Sequence, residues 1–398
     1  TVNFSRPTGQ PTFPTLTGFT IHGSPFGIDC NGADATISHN VVKSGPIDQC
    51  DGFILDNRIE GGEGILDPDE ALIEGNTILS GGIHGNLSFP TIRDNLITGV
   101  SGRAITECHG LIEGNTITYN GFGAISDCDG TIRRNVVAFN TTPGPFSHRA
   151  GITECDGIIE MNLIFRNSTE GQGAGISSCN AVIRNNLVFK NHAGRGGPGI
   201  VGCGGPIYNN TVFGNTTGEI GGGLWGCEGE IQNNIIWANE AAVGPQIHMS
   251  STPSYCCIQD WEDTDKGNIS TDPEFIDSKI DDFRLLPTSP CIDSGVHIED
   301  VTQDFWSDPR GLDGIDVPRG DGSNFDIGAD ESLGKELFNL NSDIDLSGWV
   351  DPTDLLRLKT DWILNNNGPS DSDLNGDTNI DSCDLRILMK DWYRGTAP

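Results

Sequence analysis

Short apolar runs recur along this chain at intervals of about 20 to 27 residues. Between 105 and 239 each repeat reads Gly-Ile-x-x-Cys, then Ile-x-x-Asn, then a second apolar pair followed by another Asn, as in AISDCDGTIRRNVVAFN and GITECDGIIEMNLIFRN. A fixed period of this length, rich in Gly and Asn, is typical of a solenoid in which each coil buries its apolar face against its neighbours. The pattern predicts a mainly-β fold, a right-handed parallel β-helix of about ten or more coils.

Two series of asparagines follow the apolar runs. Asparagine tolerates left-handed backbone geometry at tight turns, and its amide can bond to an equivalent amide in the next coil. We therefore expect two buried ladders, the second five residues after the first. The first comprises Asn40, Asn57, Asn76, Asn95, Asn115, Asn135, Asn162, Asn186, Asn210 and Asn234, and the second Asn120, Asn140, Asn167, Asn191, Asn215 and Asn239.

The residue after the core isoleucine alternates in charge as the coils climb. Opposite charges on neighbouring strands stabilise a sheet by about 0.2–1 kcal/mol per pair. We interpret this series as a structural ion-pair ladder and not as a substrate site. Its members are Glu74, Arg93, Glu113, Arg133, Glu160 and Arg184.

Aromatic residues occupy one outward position in four successive coils: Phe165, Phe189, Phe213 and Trp237. An exposed apolar patch of this size normally needs a cover or has a binding role. Two interpretations remain open. The non-repetitive tail covers the rings, or the rings form a platform for sugars.

The chain has twelve cysteines, and most recur at one position of the coil. Equivalent residues of adjacent coils lie about 4.8 Å apart, which is too far between Cβ atoms for a disulfide. We therefore expect a stack of buried thiols at Cys30, Cys50, Cys108, Cys128, Cys155, Cys179, Cys203 and Cys227. The one disulfide expected joins Cys291 to Cys257 or to Cys256.

The formal net charge of −33 argues against a nucleic-acid partner, because binding phosphates requires clustered Lys and Arg. It fits a secreted, extracellular or cell-surface protein. No apolar run reaches the roughly 20 residues that a membrane span needs. The chain opens at Thr1 within what resembles part of a coil, so we expect an open N-terminal coil that can stack on another copy.

Acidic residues flank the cysteines of three coils on the corner where insertions also concentrate. Glu107, Asp127 and Glu154 precede the cysteine, and His109, Asp129 and Asp156 follow it. His148 and Arg149 lie in a neighbouring insertion. Length variation confined to one corner of a solenoid usually marks its binding face. These eight residues are the candidate catalytic group.

The repeat stops near residue 250, and the acidic segment 251–334 is expected to wrap and cap the last coils of the domain 1–250. Within it, Asp313, Asp316 and Asp321 form either a further calcium site or a solvated turn.

The last segment, 335–398, contains two twelve-residue loops, each followed by a leucine-rich helical stretch. Oxygen-bearing side chains at alternate loop positions, with one main-chain carbonyl, supply the six to eight hard ligands that Ca²⁺ takes. The expected ligands are Asp343, Asp345, Ser347, Trp349 (carbonyl), Asp351 and Asp354 in the first loop, and Asp373, Asn375, Asp377, Asn379 (carbonyl), Asp381 and Asp384 in the second.

This doubled loop–helix segment resembles a dockerin module. The resemblance implies a small α-helical domain of EF-hand type that holds two Ca²⁺ ions and docks onto a cohesin-like protein. The repeat domain is similar to the parallel β-helix group that includes polysaccharide lyases, polygalacturonases and NosD-like repeat proteins. That resemblance implies a polysaccharide partner, but a shared fold does not define an activity.

Two functions remain open. The first is a secreted polysaccharide lyase or glycoside hydrolase. A lyase would neutralise a uronate carboxylate with a cation, and a hydrolase would use two carboxylates. The second is a non-catalytic extracellular rod that binds glycans or acts as a spacer, attached through the calcium module.

Overall fold

The computed structural model describes residues 2–4, 13–23, 25–144, 150–263, 265–315 and 319–332. It confirms a parallel β-solenoid of about eleven turns. Each turn contributes one short strand to each of three parallel sheets, and four turns add a strand to a fourth sheet. The strands are short because each coil bends at three corners.

Sheet 1 contains twelve strands: Val2–Asn3, Ile28–Ala33, Ile47–Cys50, Ile65–Leu66, Ile83–Ser88, Ile105–Cys108, Ile125–Ser126, Ile152–Thr153, Ile176–Ser177, Ile200–Val201, Leu224–Trp225 and Ile247–His248. Sheet 2 contains eleven: Thr15–Thr17, Thr36–Ser38, Phe53–Leu55, Leu72–Glu74, Thr91–Arg93, Leu111–Glu113, Thr131–Arg133, Ile158–Glu160, Val182–Arg184, Ile207–Tyr208 and Ile231–Gln232.

Sheet 3 contains twelve strands: Thr20–Ile21, Val41–Val42, Arg58–Ile59, Thr77–Ile78, Leu96–Thr98, Thr116–Thr118, Val136–Ala138, Leu163–Phe165, Leu187–Phe189, Thr211–Phe213, Ile235–Trp237 and Cys257–Ile258. Sheet 4 consists of Thr141–Thr142, Ser168–Thr169, His192–Ala193 and Thr216–Thr217. Outside the coils, the antiparallel pair Phe275–Asp277 and Asp282–Leu285 and the 3₁₀ turns Asp265–Gly267 and Ser278–Ile280 belong to the tail.

Both asparagine ladders are confirmed. In the first, the backbone N and Nδ2 of Asn162 donate to Asn186 Oδ1 at 2.9 and 3.0 Å, and Nδ2 also donates to the carbonyl of Ile132 at 2.8 Å. The second repeats this geometry from Asn120 to Asn239. Each buried amide therefore fixes the spacing of three consecutive coils.

The left-handed turn lies one residue before each ladder asparagine, and not at the asparagine as expected. The ladder side chain has to point inward, so the residue before it makes the corner. It has positive φ in all ten coils: His39, Asp56, Gly75, Asp94, Gly114, Arg134, Met161, Asn185, Asn209 and Asn233.

The charged ladder is also confirmed on the outer surface of sheet 2. Arg93 lies 2.8 Å from Glu74, Arg133 Nη2 donates to Glu113 Oε2 at 3.1 Å, and Arg184 lies 2.8 Å from Glu160. Each arginine pairs with the glutamate of the preceding coil.

The expected thiol stack runs from Cys108 to Cys227, where each cysteine is buried and free. Burial raises the pKa of the Cys155 thiol well above its usual value. Cys30 and Cys50 depart from the prediction because they form a disulfide. The strand Ile28–Ala33 contains a register shift that pairs Ala33 with Cys50, so Cys30 is no longer the in-register equivalent of its partner.

The predicted disulfide at Cys291 is wrong for this structure, in which Cys256, Cys257 and Cys291 are buried free thiols. The apolar cluster at the top of sheet 3 includes both Cys257 and Cys291. Burial and the neighbouring Cys257 thiol raise the pKa of Cys291. The two residues meet as small apolar groups.

The tail covers part of the aromatic column, as one of the two interpretations predicted. Phe189 is buried, and its ring lies 5.0 Å from that of Phe283 in the tail. Phe213 contacts both Phe283 and Phe275. Trp237, at the top of the column, is only partly buried and borders a cleft.

The corner asparagines of the upper coils attach the tail. Asn185, Asn209 and Asn233 donate through Nδ2 to main-chain carbonyls of the tail. The acceptors are Gln303 at 2.7 Å, Asp326 at 3.1 Å and Val296 at 2.7 Å. The same corner is thus polar wherever the tail lies against it.

A buried ion pair joins two parts of the tail to the solenoid. Arg310 Nη1 lies 3.1 Å from Glu331 Oε2, and both side chains are 0% exposed. Arg310 Nη2 donates to Asn185 Oδ1 and to the carbonyl of Gly328. Burial raises the pKa of nearby Asp304 to about 6 and also raises the pKa of Asp326. This network is the polar centre of the tail.

Candidate functional site

The structure brings Glu107, Asp127 and Glu154 together on one corner of three successive coils. Their φ angles of 57°, 56° and 52° place them in the left-handed region. Each directly precedes a buried cysteine: Glu107 lies within the last two residues of its sheet 1 strand, and Asp127 and Glu154 follow the last residue of theirs. Ser178 has the same geometry in the next coil. The position is therefore defined by the turn of the chain, whether or not an acid occupies it.

Asp127 pairs with an arginine on this corner. Arg103 Nη1 lies 3.4 Å from Asp127 Oδ2, and both side chains are about one-third exposed. Surface pairs of this kind contribute about 0–1 kcal/mol. The arrangement is consistent with a solvated corner.

The residues after the cysteines form a ladder of their own. Asp129 N donates to His109 Nδ1 at 3.0 Å, and Asp156 N donates to Asp129 Oδ1 at 3.0 Å. Asn180 N continues it by donating to Asp156 Oδ1 at 2.8 Å. His109, Asp129 and Asp156 thus each hold the next coil through a main-chain bond.

The other predicted site residues lie outside the described residues. They are His148 and Arg149 of the catalytic group, Asp316 of the tail cluster and all twelve calcium ligands in 335–398. Of the tail cluster, Asp321 accepts bonds from His297 N at 3.1 Å and Ser323 N at 2.9 Å. Among the described residues, no group of three or more His, Cys, Asp or Glu side chains is arranged to hold a metal ion.

A cleft of about 590 Å³ lies between the top of sheet 3 and the tail. No pattern in the sequence indicated it. Its lining combines two aromatic residues of sheet 3, one aromatic residue of the tail and several polar residues of the tail. The residues that line it are Phe213, Trp237, Ala238, Asp272, Glu274, Phe275, Ser278, Leu286 and Thr288. Clefts that combine aromatic surface with a few polar groups are common ligand sites.

The polar side of the cleft is held by its own hydrogen bonds. Asp272 Oδ1 accepts from Glu274 N at 2.9 Å, and Glu274 Oε2 accepts from Thr288 Oγ1 at 2.5 Å. On the aromatic side, the rings of Phe213 and Phe275 meet edge to face at 5.8 Å. The two carboxylates therefore stand beside a fixed aromatic surface.

Such a lining matches the two kinds of surface on a pyranose ring. An aromatic face packs against the C–H groups of a sugar, and carboxylates accept hydrogen bonds from its hydroxyls. The sequence did signal Trp237 as the last ring of the aromatic column. Asp272 and Glu274 gave no signal, because they lie in the non-repetitive tail and approach Trp237 only in three dimensions.

The fold defines the chain as a parallel β-solenoid protein. A scan against models of protein families found no match, and a search of curated proteins found none. In the part of the chain that the structure describes, no helix has the length and apolar character needed to cross a bilayer.

Proposed function

We propose that this chain is an extracellular carbohydrate-binding β-solenoid, in which the cleft beside Trp237 takes a sugar of an extended, neutral polysaccharide. The observation that supports this most is the lining of the cleft, with aromatic rings facing Asp272 and Glu274. The net charge of −33 favours a neutral polymer, because an acidic polymer would be repelled. The rigid coils would keep the site open without a conformational change.

The contacts of the acidic residues at the corner of sheet 1 favour a binding function over a catalytic one. His109, Asp129 and Asp156 are used in main-chain bonds between coils, which explains their presence without chemistry. A hydrolase remains the second candidate. It is favoured by one observation, that Asp272 and Glu274 are two carboxylates on one side of an aromatic cleft.

An extracellular location is supported by the Cys30–Cys50 disulfide, since such bonds persist in oxidising compartments. The free cysteines of the described residues are all buried, which protects them from exchange in the same environment. The resemblance of 335–398 to a dockerin supports attachment of the rod to a cohesin-like partner through Ca²⁺.

The cleft is tested by the substitution Trp237→Ala in the full chain. We expect the affinity for neutral polysaccharides to fall about 10- to 100-fold, because an aromatic ring that the bound sugar covers supplies a large share of the binding energy. Affinity electrophoresis through gels containing xylan, mannan or β-glucan measures this directly. Phe53→Ala, which removes an exposed ring of sheet 2, is the matched control and should bind as the parent does.

Equal retardation of the parent and Trp237→Ala on every polysaccharide would contradict binding in the cleft, and no retardation of the parent on any of them would contradict the binding function. The catalytic alternative is read from the same samples by assaying new reducing ends and unsaturated products. Release of reducing ends that stops in Glu274→Gln would establish the hydrolase. If the release of reducing ends is abolished only in Glu107→Gln or Glu154→Gln, the catalytic site lies instead at the corner of sheet 1 that contains these residues.

Calcium binding is tested on the full chain by calorimetric titration after treatment with a chelator. We expect about two ions per chain, each lost with one of the substitutions Asp343→Ala and Asp373→Ala. The bound metal should also raise the temperature of unfolding, because a ligand of the folded state stabilises it. A third ion that is lost in Asp313→Ala would show that the tail cluster binds calcium. A titration with no heat of binding would contradict the proposal that 335–398 is a dockerin-like calcium module.

A further inference from the structure

One corner of the solenoid has aromatic residues where the backbone favours glycine. The corner lies at the end of sheet 3, one residue before the second asparagine ladder, or before Val100 in the coil below Asn120. Its φ angles are positive throughout, at Gly99, Tyr119, Phe139, Arg166, Lys190, Gly214 and Ala238. A bulky residue in this region is strained, and such strain is often retained at functional positions. Gly99 and Gly214 show that the turn itself does not require an aromatic side chain.

The two aromatic rings form an ordered stack. Tyr119 lies on Phe139 with the ring centroids 4.9 Å apart and the planes inclined by only 4°. Above them, the guanidinium of Arg166 lies 5.7 Å from the centre of the Phe139 ring. Arg166 in turn faces Asp281 of the tail at 3.8 Å. One face of Tyr119 is thus covered by a rigid support.

The next position below Tyr119 at this corner is Gly99, one coil away, and none of the described residues fills the space beside it. A Cβ added at Gly99 or at Gly102 would meet no atom within 4 Å. The space below the Tyr119 ring has the height of one coil, about 4.8 Å. That height is close to the 4.9 Å at which Phe139 stacks on the covered face. A flat ring can therefore lie against Tyr119, which is 62% exposed.

The surroundings favour a sugar over an apolar or an anionic ring. Next to the corner, Thr118 Oγ1 donates to Thr98 Oγ1 at 3.2 Å, which leaves hydroxyl groups beside the open face. Phe122, whose backbone N donates to Gly102 O at 3.2 Å, adds a second exposed ring to the same corner. Adjacent aromatic faces and hydroxyls suit the C–H faces and the hydroxyls of a pyranose. The net charge of the chain again disfavours an acidic ligand.

We propose that Tyr119 is the platform of a second carbohydrate site, which takes one pyranose ring of a neutral polysaccharide against its open face. The assignment rests on the proposed function for the nature of the ligand. In sheet 3, the strand that precedes Tyr119 lies five coils below the strand that ends at Trp237. This spacing corresponds to about 24 Å along the solenoid axis. A long glycan can contact both sites, whereas a trisaccharide occupies one at a time.

The test compares Tyr119→Gly, Trp237→Ala and the double variant with the parent chain. Glycine is native to this corner, so Tyr119→Gly relieves strain and is expected to fold. Calorimetry with trisaccharides of xylose, mannose and glucose should give two sites in the parent, one in each single variant and none in the double variant. Tyr119→Phe should keep both sites, and Phe53→Ala is the control for loss of an exposed ring.

With the polysaccharides, Tyr119→Gly should lower the apparent affinity at least about tenfold, because the two sites act together on a long chain. Unchanged stoichiometry and affinity in Tyr119→Gly, with binding lost in Trp237→Ala, overturns the second site and leaves the cleft intact. Binding that is lost in Tyr119→Gly but unchanged in Trp237→Ala upholds the Tyr119 site and rejects the cleft. Altered self-association in Tyr119→Gly without any change in sugar binding identifies a protein contact and also overturns the proposal.

Discussion

Replacing Arg310 with methionine is expected to destabilise the folded chain by about 3–5 kcal/mol, the usual cost of removing one partner of a buried ion pair. The Arg310 and Glu331 side chains are completely buried, so the substitution leaves the Glu331 carboxyl group buried without its counterion. The substitution also removes donors from Asn185 Oδ1 and from the carbonyl of Gly328. Both losses fall where the tail meets the solenoid.

The destabilisation by Arg310→Met should depend on pH. Burial already raises the pKa of Asp304 to about 6, and Arg310 lowers it, so loss of the arginine raises it further. A folded-state pKa above the ordinary value of 3.8 means that the folded state gains stability as the carboxyl binds a proton. The free energy of unfolding that Arg310→Met loses relative to the parent should therefore be largest near pH 8. It should shrink as the pH falls through 6 toward 4.

Urea denaturation followed by tryptophan fluorescence measures this effect, with Arg319→Met as the control. Arg319 is exposed and makes one main-chain bond, to the carbonyl of Ser289 at 3.3 Å, so its loss should cost less than about 1 kcal/mol. Equal denaturation midpoints for Arg310→Met and Arg319→Met at pH 8 would show that the buried pair does not hold the tail.

The second large effect is expected at the middle of the first ladder, where Asn186→Ala should cost about 2–4 kcal/mol. Asn186 Oδ1 accepts from both nitrogens of Asn162, and its Nδ2 donates to Asn210 Oδ1 and to the carbonyl of Ile159. All of these atoms are buried, so the alanine leaves several polar groups without partners. Removing one rung weakens the contacts of the coils on both sides.

Asn180→Ala is the matched control for the ladder, because Asn180 is an exposed asparagine of the same coil whose amide reaches Asp156 at 3.3 Å. Its loss should change the free energy of unfolding by less than about 0.5 kcal/mol. Urea titration of the two variants gives the comparison. A cost for Asn186→Ala no greater than that for Asn180→Ala would mean that the ladder does not stabilise the stack.

The ladders, the charged series and the thiol stack were predictable because every coil repeats the same packing problem. A buried Asn162 needs Asn186 above it, and that requirement recurs in the sequence at the interval of one coil. The left-handed corner was assigned one residue too late, because Asn185 and Asn186 are adjacent asparagines with different roles. The first makes the turn and binds the tail, whereas the second points into the core.

The tail and the cleft could not be predicted because neither repeats. Arg310 and Asn185 are far apart in the chain, and nothing in the sequence marks them as partners. The same applies to Glu274 and Trp237, which line the same cleft. The disulfide at Cys30 was missed for a related reason, since a local register shift removed that residue from the regular stack.

The acidic corner shows how one sequence pattern can fit two roles. Glu107 and Asp127 were selected because stacking alone did not explain acids at that position. The structure places them at a left-handed turn and gives Asp129 a main-chain partner in the next coil. Their spacing therefore follows from the coil, and a catalytic role for them stays a prediction that the reducing-end assay decides.

The central claim is that this solenoid binds a neutral polysaccharide beside Trp237, and a crystal structure of the chain with a bound oligosaccharide tests it most directly. We predict a pyranose ring packed on the Trp237 indole, with hydroxyl groups hydrogen-bonded to Asp272 or Glu274. A sugar bound instead along Glu107, Asp127 and Glu154, with the Trp237 cleft empty, would contradict the account.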